Sequence, residues 1–539
     1  AAPNRLDVHP SSHTAVAQLP TGATVVAGNV TFSQSTPNEL DIHQSSNTAI
    51  TNWQSFSVGA GYTVRFLQPS ASSVSLNRVV GNDPSAIYGN LVANGQVFLI
   101  NGNGILFGRS AQVDTGGLVA STLNLSDQNF LAGNYVFSDP GNTHSVVNQG
   151  QLKAGNGGTL ALIGHQAINL GSMQASLGSV VLGAGGTAQL TLAGNKLIKF
   201  EIRQSALGAL AQNGGLIQAD GGQVILSAGA RDSLLASTVN NDGVIEAQTV
   251  QGQSGHILLL SGMQAGTTQV GGTLDASAPD GGDGGTIETS GARVQVADGA
   301  HVTTEAEHGR TGNWLIDPND FTVAATGGDM TGAQVAAALA TSNFQIATAT
   351  MGSAGGNGDI NIDDAITWSS ANTLTLNAER NININAALNA SGSAGLALWY
   401  GQGAVAAGNT ASYSVNAKVS LASTGSFQTK LGNDGSPINW IIVTSLGAFN
   451  DASGTTLQGM NGNLAGHYVL GADIDASGTS TWPSFFGGSG FTPIGMVYGN
   501  GSNAFTGMFD GLGHVINGLT ISLPANNGTG LFYNLNGAT

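Results

Sequence analysis

The 539-residue chain has no cysteine, so no disulfide can staple it and no thiolate can act as nucleophile or metal ligand. A chain without thiols can also cross an oxidising compartment unfolded, which suits secretion. Charge is scarce: 8% of residues, with 14 Lys plus Arg against 31 Asp plus Glu, for a net charge of −17. No Lys or Arg follows Lys430. Nucleic-acid binding and docking to an anionic membrane surface both need clustered Lys and Arg, so both are excluded. No apolar run approaches the roughly 18 residues of a membrane span, so no membrane insertion is expected. The signatures Gly-x-Ser-x-Gly, His-Glu-x-x-His and Gly-x-x-x-x-Gly-Lys are absent. No catalytic residue, cofactor or metal is therefore assigned.

What is present is glycine, 81 residues of it, with 41% hydrophobic residues and only 13 prolines. That apolar content excludes disorder, and the lack of a Gly-X-Y period excludes collagen. The densest stretch is 89–108, where short apolar pieces (Leu91-Val92, 97–100, 105–107) are cut by Asn94-Gly95, Asn101-Gly102 and Asn103-Gly104. Asn and Gly tolerate positive φ, so the stretch reads as short strands joined by tight corners.

Residues 147–304 repeat. The pentad Gly-x-(Leu/Met/Ile)-x-Ala begins at Gly150, Gly171, Gly215, Gly243 and Gly272, with spacings of 21, 44, 28 and 29. The 44 corresponds to about two units, and the extra piece, Leu190 to Leu210, reads as an inserted coil. A second Gly-led strand follows each pentad, as in GGTLALIG and GGQVILSAG. Units of 20–30 residues made of short strands, with no room for a crossover helix, indicate a parallel β-helix. About 25 coils at ~4.8 Å would make a rod. The alternation puts the middle apolar residue and the small flanking ones inward. Asn148, Asn169, Asn213 and Asn241 recur at stacked turns and are candidates for a side-chain ladder.

The strands and prolines of residues 1–50 suit a cap on the terminal coil. The style changes at Trp314–Phe321, and Thr331 with Gln334 forms a capping-box pattern for a short helix through Leu339. A Gly/Ser/Asn-rich joint spans 425–437. A different repeat occupies the last hundred residues and stops inside its second copy. Together with the Ala1-Ala2-Pro3 start, this suggests a mature N-terminal fragment of a larger protein.

At Trp53–Val79, through Arg78, and again at Val97–Gly108 and Gly117–Thr122, the chain resembles the haemagglutination-activity domain of two-partner secretion exoproteins, the filamentous-haemagglutinin-like adhesins. Residues 284–321 look like the usual end of that region, and 464–521 resemble the GLUG-type repeat. The resemblance implies an all-β fold: a right-handed parallel β-helix (solenoid) with an N-terminal β cap and short helical insertions. It also implies export through an outer-membrane β-barrel secretion partner. The secretion motif and transporter recognition fall on Asn101, Gly102, Asn103 and Gly104, where Gly102 replaces the family's usual proline. The expected domains are 1–145 (secretion domain with cap), 146–317 (repeat body), 318–435 (β-rich extension) and 436–539 (GLUG-type region).

Several features have bland readings. The aspartates at 275, 280 and 283, at 359, 363 and 364, and at 473 and 475 lack EF-hand or nonapeptide spacing and read as solvated turn residues. His9 and His13 read as loop residues. Trp53, Trp314 and Trp399 read as core or coil-edge residues rather than sugar platforms. The expected function is a secreted adhesin at the surface or in the biofilm matrix of a Gram-negative bacterium. It would be a monomeric rod that binds an exopolysaccharide or a host-surface glycan or protein. The alternatives are a polysaccharide-degrading β-helix enzyme and the stalk of a contact-dependent toxin. An enzyme needs carboxylates with Arg or Lys on neighbouring coils, and residues 150–291 offer only Lys153, Lys196, Lys199, Arg203 and Arg231.

Overall fold

The structure, a computed structural model, describes residues 18–349, 356–405, 408–483, 488–496, 503–524 and 529–539. It separates into two units. The first is Ala1–Arg293 with Gly299–His301 and Ala306–Arg310; the second is Val294–Asp298, Val302–Glu305 and Thr311–Thr539.

The first unit is a parallel β-helix with three sheets. Each turn of chain adds one strand to each sheet. One sheet climbs from Thr48–Trp53 through Gln96–Ile100, Gly117–Ser121, Thr159–Gly164 and Ser179–Ala184 to Thr286–Ser290, in register throughout. A second holds Ile105–Phe107, Ser145–Asn148, Gln166–Asn169 and Ala209–Asn213. The third holds the pentads, as Gln151–Ala154, Ser172–Gln174, Leu216–Gln218, Val244–Glu246 and Thr273–Asp275. Their middle residues Leu152, Met173, Ile217, Ile245 and Leu274 point inward and are at most 1% exposed.

The pentad glycines are required by close approach between coils. A Cβ on Gly171, Gly215 or Gly243 would lie 2.1–2.2 Å from the carbonyl oxygen of the preceding pentad's glycine. Gly215→Ala is therefore expected to lower stability by about 1–3 kcal/mol through backbone displacement. Gly155→Ala, where the nearest atom is 3.8 Å away, should leave the melting curve almost unchanged. Equal melting temperatures for the two variants would contradict this account.

The asparagine ladder forms as expected. Nδ2 of Asn148 donates to Oδ1 of Asn169, Asn169 to Asn213, and Asn213 to Asn241, each at 2.8 Å. Asn241 then donates to the Gly271 carbonyl at 2.7 Å. All four are fully buried, and each bond contributes about 1 kcal/mol net.

The inserted coil is not there. Met173 pairs directly with Ile217, so one turn of helix separates Gly171 from Gly215. The surplus residues leave the helix as a hairpin, Thr187–Ala193 and Lys196–Gln204, turning at Gly194 with φ +64°. The hairpin joins Tyr135–Ser138 and Asn124–Leu125 in a four-stranded antiparallel sheet. Beside it sits α1 (Asp127–Leu131), capped by the Ser126 hydroxyl. This extra sheet covers the outer face of the first parallel sheet. Its Phe137, Leu190, Leu197 and Ile202, with Phe130 of α1, pack against Phe98, Val119, Ala161, Val181 and Ile225. Strands buried on both faces have no polar side to alternate with, which is why QVFLI, TLALIG and SVVLGA are nearly continuous apolar runs buried at every position.

The expected cap is present. Thr24–Ala27 pairs antiparallel with Thr48–Trp53, and Val30–Thr36 with Glu39–Gln44. Antiparallel pairing turns the cap strands back along the first rung, which covers its open edge.

In the second unit, coils again stack in register, as in Asn343–Ala347, Thr373–Asn377, Gly395–Tyr400 and Ser426–Leu431. Helix α2 (Gly332–Thr341) starts at the expected capping box, with Gln334 N donating to Thr331 Oγ1 at 3.2 Å and Thr331 N to Gln334 Oε1 at 2.8 Å. The joint near 425–437 is a reversal, since Ile438–Val443 runs antiparallel to Ser426–Leu431. Beyond it Tyr468, Phe491, Ile494 and Phe505 form a separate apolar cluster with Val443 and Met460.

Candidate functional site

The four motif residues are brought together at one corner of the first unit, between Gln96–Ile100 and Ile105–Phe107. Asn101 is fully buried. Its Nδ2 donates to the Asp83 carbonyl and to Ser85 Oγ on the preceding coil, each at 3.0 Å. Its Oδ1 accepts from Asn103 N at 2.9 Å and from Asn103 Nδ2 at 3.1 Å. Asn103 Nδ2 also donates to the Gly81 carbonyl at 3.0 Å. From the following coil, Asn142 Nδ2 donates to the Gly102 carbonyl at 2.9 Å. The motif thus ties three consecutive coils at one corner.

The turn closes through Gly104 N donating to the Asn101 carbonyl at 3.2 Å. Within the motif only Gly104 takes a positive φ, +113°. Position 102 is the second residue of this turn, where proline is favoured, and a Cβ there meets nothing closer than 3.6 Å. Gly102→Pro is therefore expected to stabilise the first unit by about 0.4–1 kcal/mol, through the unfolded state. The urea midpoint should rise at constant slope; a fall would show that the corner cannot hold the fixed φ.

Ser85 and Asn142 lie 16 and 40 residues from their motif partners, and no local pattern in the sequence marks them. Arg78, quoted only as part of a motif, clamps the extra sheet. Its guanidinium donates to the Leu125 carbonyl at 2.5 Å and pairs with Asp127 at 2.7 Å.

The other candidates are occupied structurally. Asp283 pairs with Arg310, which holds its carboxyl below the usual range. Arg380 does the same for Asp359. Asp364 receives the Gly332 N–H at the start of α2. Asp473 is held well below the carboxylate range by Lys418 first, then by His514 and the Val515 amide. Among the described residues no group of three or more His, Cys, Asp or Glu could hold a metal ion. His9 and His13 lie outside the described residues. Trp53 is buried against Phe32 and Phe56, and Trp314 against Phe344. Trp399 is only half-buried and faces outward at the end of its strand.

Three comparisons bear on this arrangement. Residues 17–276 match the family described as the TPS secretion domain. Over 256 residues the chain is 33% identical to a heme/hemopexin-binding protein of Haemophilus influenzae, covering 46% of this chain and 28% of that protein. A second H. influenzae protein of that name is 27% identical over 255 residues, covering 43% and 27% respectively. The chain thus spans less than a third of the relatives it matches. The crystal structure of the HMW1 secretion domain from H. influenzae superposes with a TM-score of 0.53 at 24% identity, covering 76% of this chain and all of that one. At that identity the likeness concerns the fold.

Proposed function

We propose that the chain is a secreted exoprotein of the two-partner type, in which residues 17–276, the part that matches the TPS secretion domain, direct export of an adhesive body through an outer-membrane β-barrel transporter. The route runs by way of the periplasm to the cell exterior, and the segment after residue 276 carries the binding surface. We keep the functional division at 145, 317 and 435 as part of this reading. The body binds rather than catalyses, and its ligands are glycans or other surface molecules of host or neighbouring cells. The likeness covers only 28% and 27% of the two H. influenzae proteins, so binding of haem or hemopexin forms no part of this reading.

In this reading Asn101–Gly104 carry transporter recognition, and burial limits when that can happen. Once folded, Asn101 offers no surface to a transporter, so the segment is read in the extended chain and then locks the third coil as it emerges. Co-expression with the cognate transporter tests the proposal. The chain is expected in the medium only when the transporter is present, and export independent of the transporter would overturn it.

A further inference from the structure

The outward face of the second unit's longest sheet differs in kind from its counterpart in the first unit. Most of its strands alternate buried with half-exposed positions, the exception being Gly395–Tyr400, which is buried as far as Leu398 and opens at Trp399 and Tyr400. The outward column through its centre reads Leu315, Gln345, Thr375, Ala397, Gln428 in register, one residue per rung. Beside it runs Asn377, Trp399, Lys430. The indole Nε1 of Trp399 donates to Gln428 Oε1 across the rung at 3.0 Å. Ala397 in the same column is 6% exposed.

Lys430 Nζ lies 5.6 Å from the centre of the Trp399 ring. The second unit has three basic side chains, Arg380, Lys418 and Lys430. Arg380 pairs with Asp359 and Lys418 with Asp473, whereas Lys430 makes no ion pair among the described residues. In a chain of net charge −17, the one cation of this unit without a carboxylate partner sits at an aromatic ring.

We propose that this face binds an extended carboxylate-bearing polysaccharide, with Trp399 under a sugar ring, Lys430 on its carboxylate, and the Gln345–Thr375 column on the hydroxyls of neighbouring sugars. This rests on the glycan-binding reading above and gives it a place. Gln345 and Thr375 on adjacent rungs lie one inter-strand spacing, ~4.8 Å, apart, a separation on the scale of one sugar of an extended glycan, and Gln428 offers a further amide two rungs beyond Thr375. Aromatic faces bind the apolar C–H face of a sugar, and an ammonium 5–6 Å from the ring adds charge selectivity without demanding a fixed geometry.

The test uses the full chain on immobilised oligogalacturonate, hyaluronate and cello-oligosaccharide. Binding to the two carboxylated probes is expected, and the preferred one tells a plant- or bacterial-type polyuronate from a host-type glycan. Trp399→Ala should weaken binding at least tenfold. Lys430→Gln should remove the preference for carboxylated over neutral chains. Thr375→Glu, a half-exposed position away from the core, should block the face to a polyanion by bulk and like charge with the melting temperature unchanged, which keeps the test valid if the Trp399 variant folds poorly. Binding undiminished in Trp399→Ala and Thr375→Glu would overturn the placement while leaving glycan binding standing. No binding of any probe by the parent chain would overturn both.

Discussion

Removing residues 187–204 and joining Gly186 to Ser205 is expected to unfold the first unit rather than trim it. The join itself is geometrically mild, because Gly186 N already donates to the Gln204 carbonyl at 2.8 Å. What is lost is the cover. Ala188, Leu190, Leu197 and Ile202 leave, and Phe98, Phe137, Val181 and Ile225 face water instead of them. Each large apolar side chain returned to water costs about 1.5–3 kcal/mol. The total is on the order of 10 kcal/mol, comparable to the roughly 5–15 kcal/mol of a whole domain. The deletion variant should lose its cooperative melt and bind ANS. A cooperative transition within a few degrees of the parent would show that the parallel coils stand without the extra sheet. The same reasoning bears on export: until residue 204 has emerged, a chain leaving in N-to-C order holds an uncovered apolar sheet, so the fold becomes stable late.

Asn101→Ala is expected to abolish export while weakening the fold by about 3 kcal/mol. The substitution leaves the buried Ser85 Oγ and the Asn103 N–H without this partner, while Asn103 Nδ2 keeps its bond to the Gly81 carbonyl and the carbonyl of exposed Asp83 can turn to water. Buried groups stripped of a hydrogen bond cost about 1–3 kcal/mol each. Asn213→Ala serves as the control. It breaks a ladder position equally buried and bonded on both sides, but far along the chain from the motif. If recognition is specific, Asn213→Ala is exported at a level its stability supports and Asn101→Ala is not. Equal export of the two variants, at equal urea midpoints, would reduce the motif to a structural corner.

Most of the coil architecture was legible in the sequence because it is written in short-range periodicity. A solenoid repeats one local environment, so the inward Leu or Ile of each pentad, the glycine that lets coils approach and the asparagine of the ladder recur at the same phase. The capping box at Thr331 and Gln334 is likewise local, two residues reaching each other's backbone within one turn. The antiparallel cap follows from the need to end a stack.

What the repeat spacing misjudged was the 44-residue interval. Counting residues cannot tell a coil from a hairpin, because both are short alternating strands. The hairpin declares itself only when Tyr135–Ser138, some fifty residues away, is seen to pair with Thr187–Ala193. The apolar runs QVFLI and SVVLGA break the alternation of a strand with one wet face, but nothing in them names what covers the outer one. Periodicity thus determined the β-helix, its inward residues and its corners. Only the tertiary structure decided which face of the helix is covered, which coils Asn101 ties together and where Trp399 and Lys430 meet. Those depend on contacts between segments 16 to more than 50 residues apart, whose pairing leaves no trace in any local pattern.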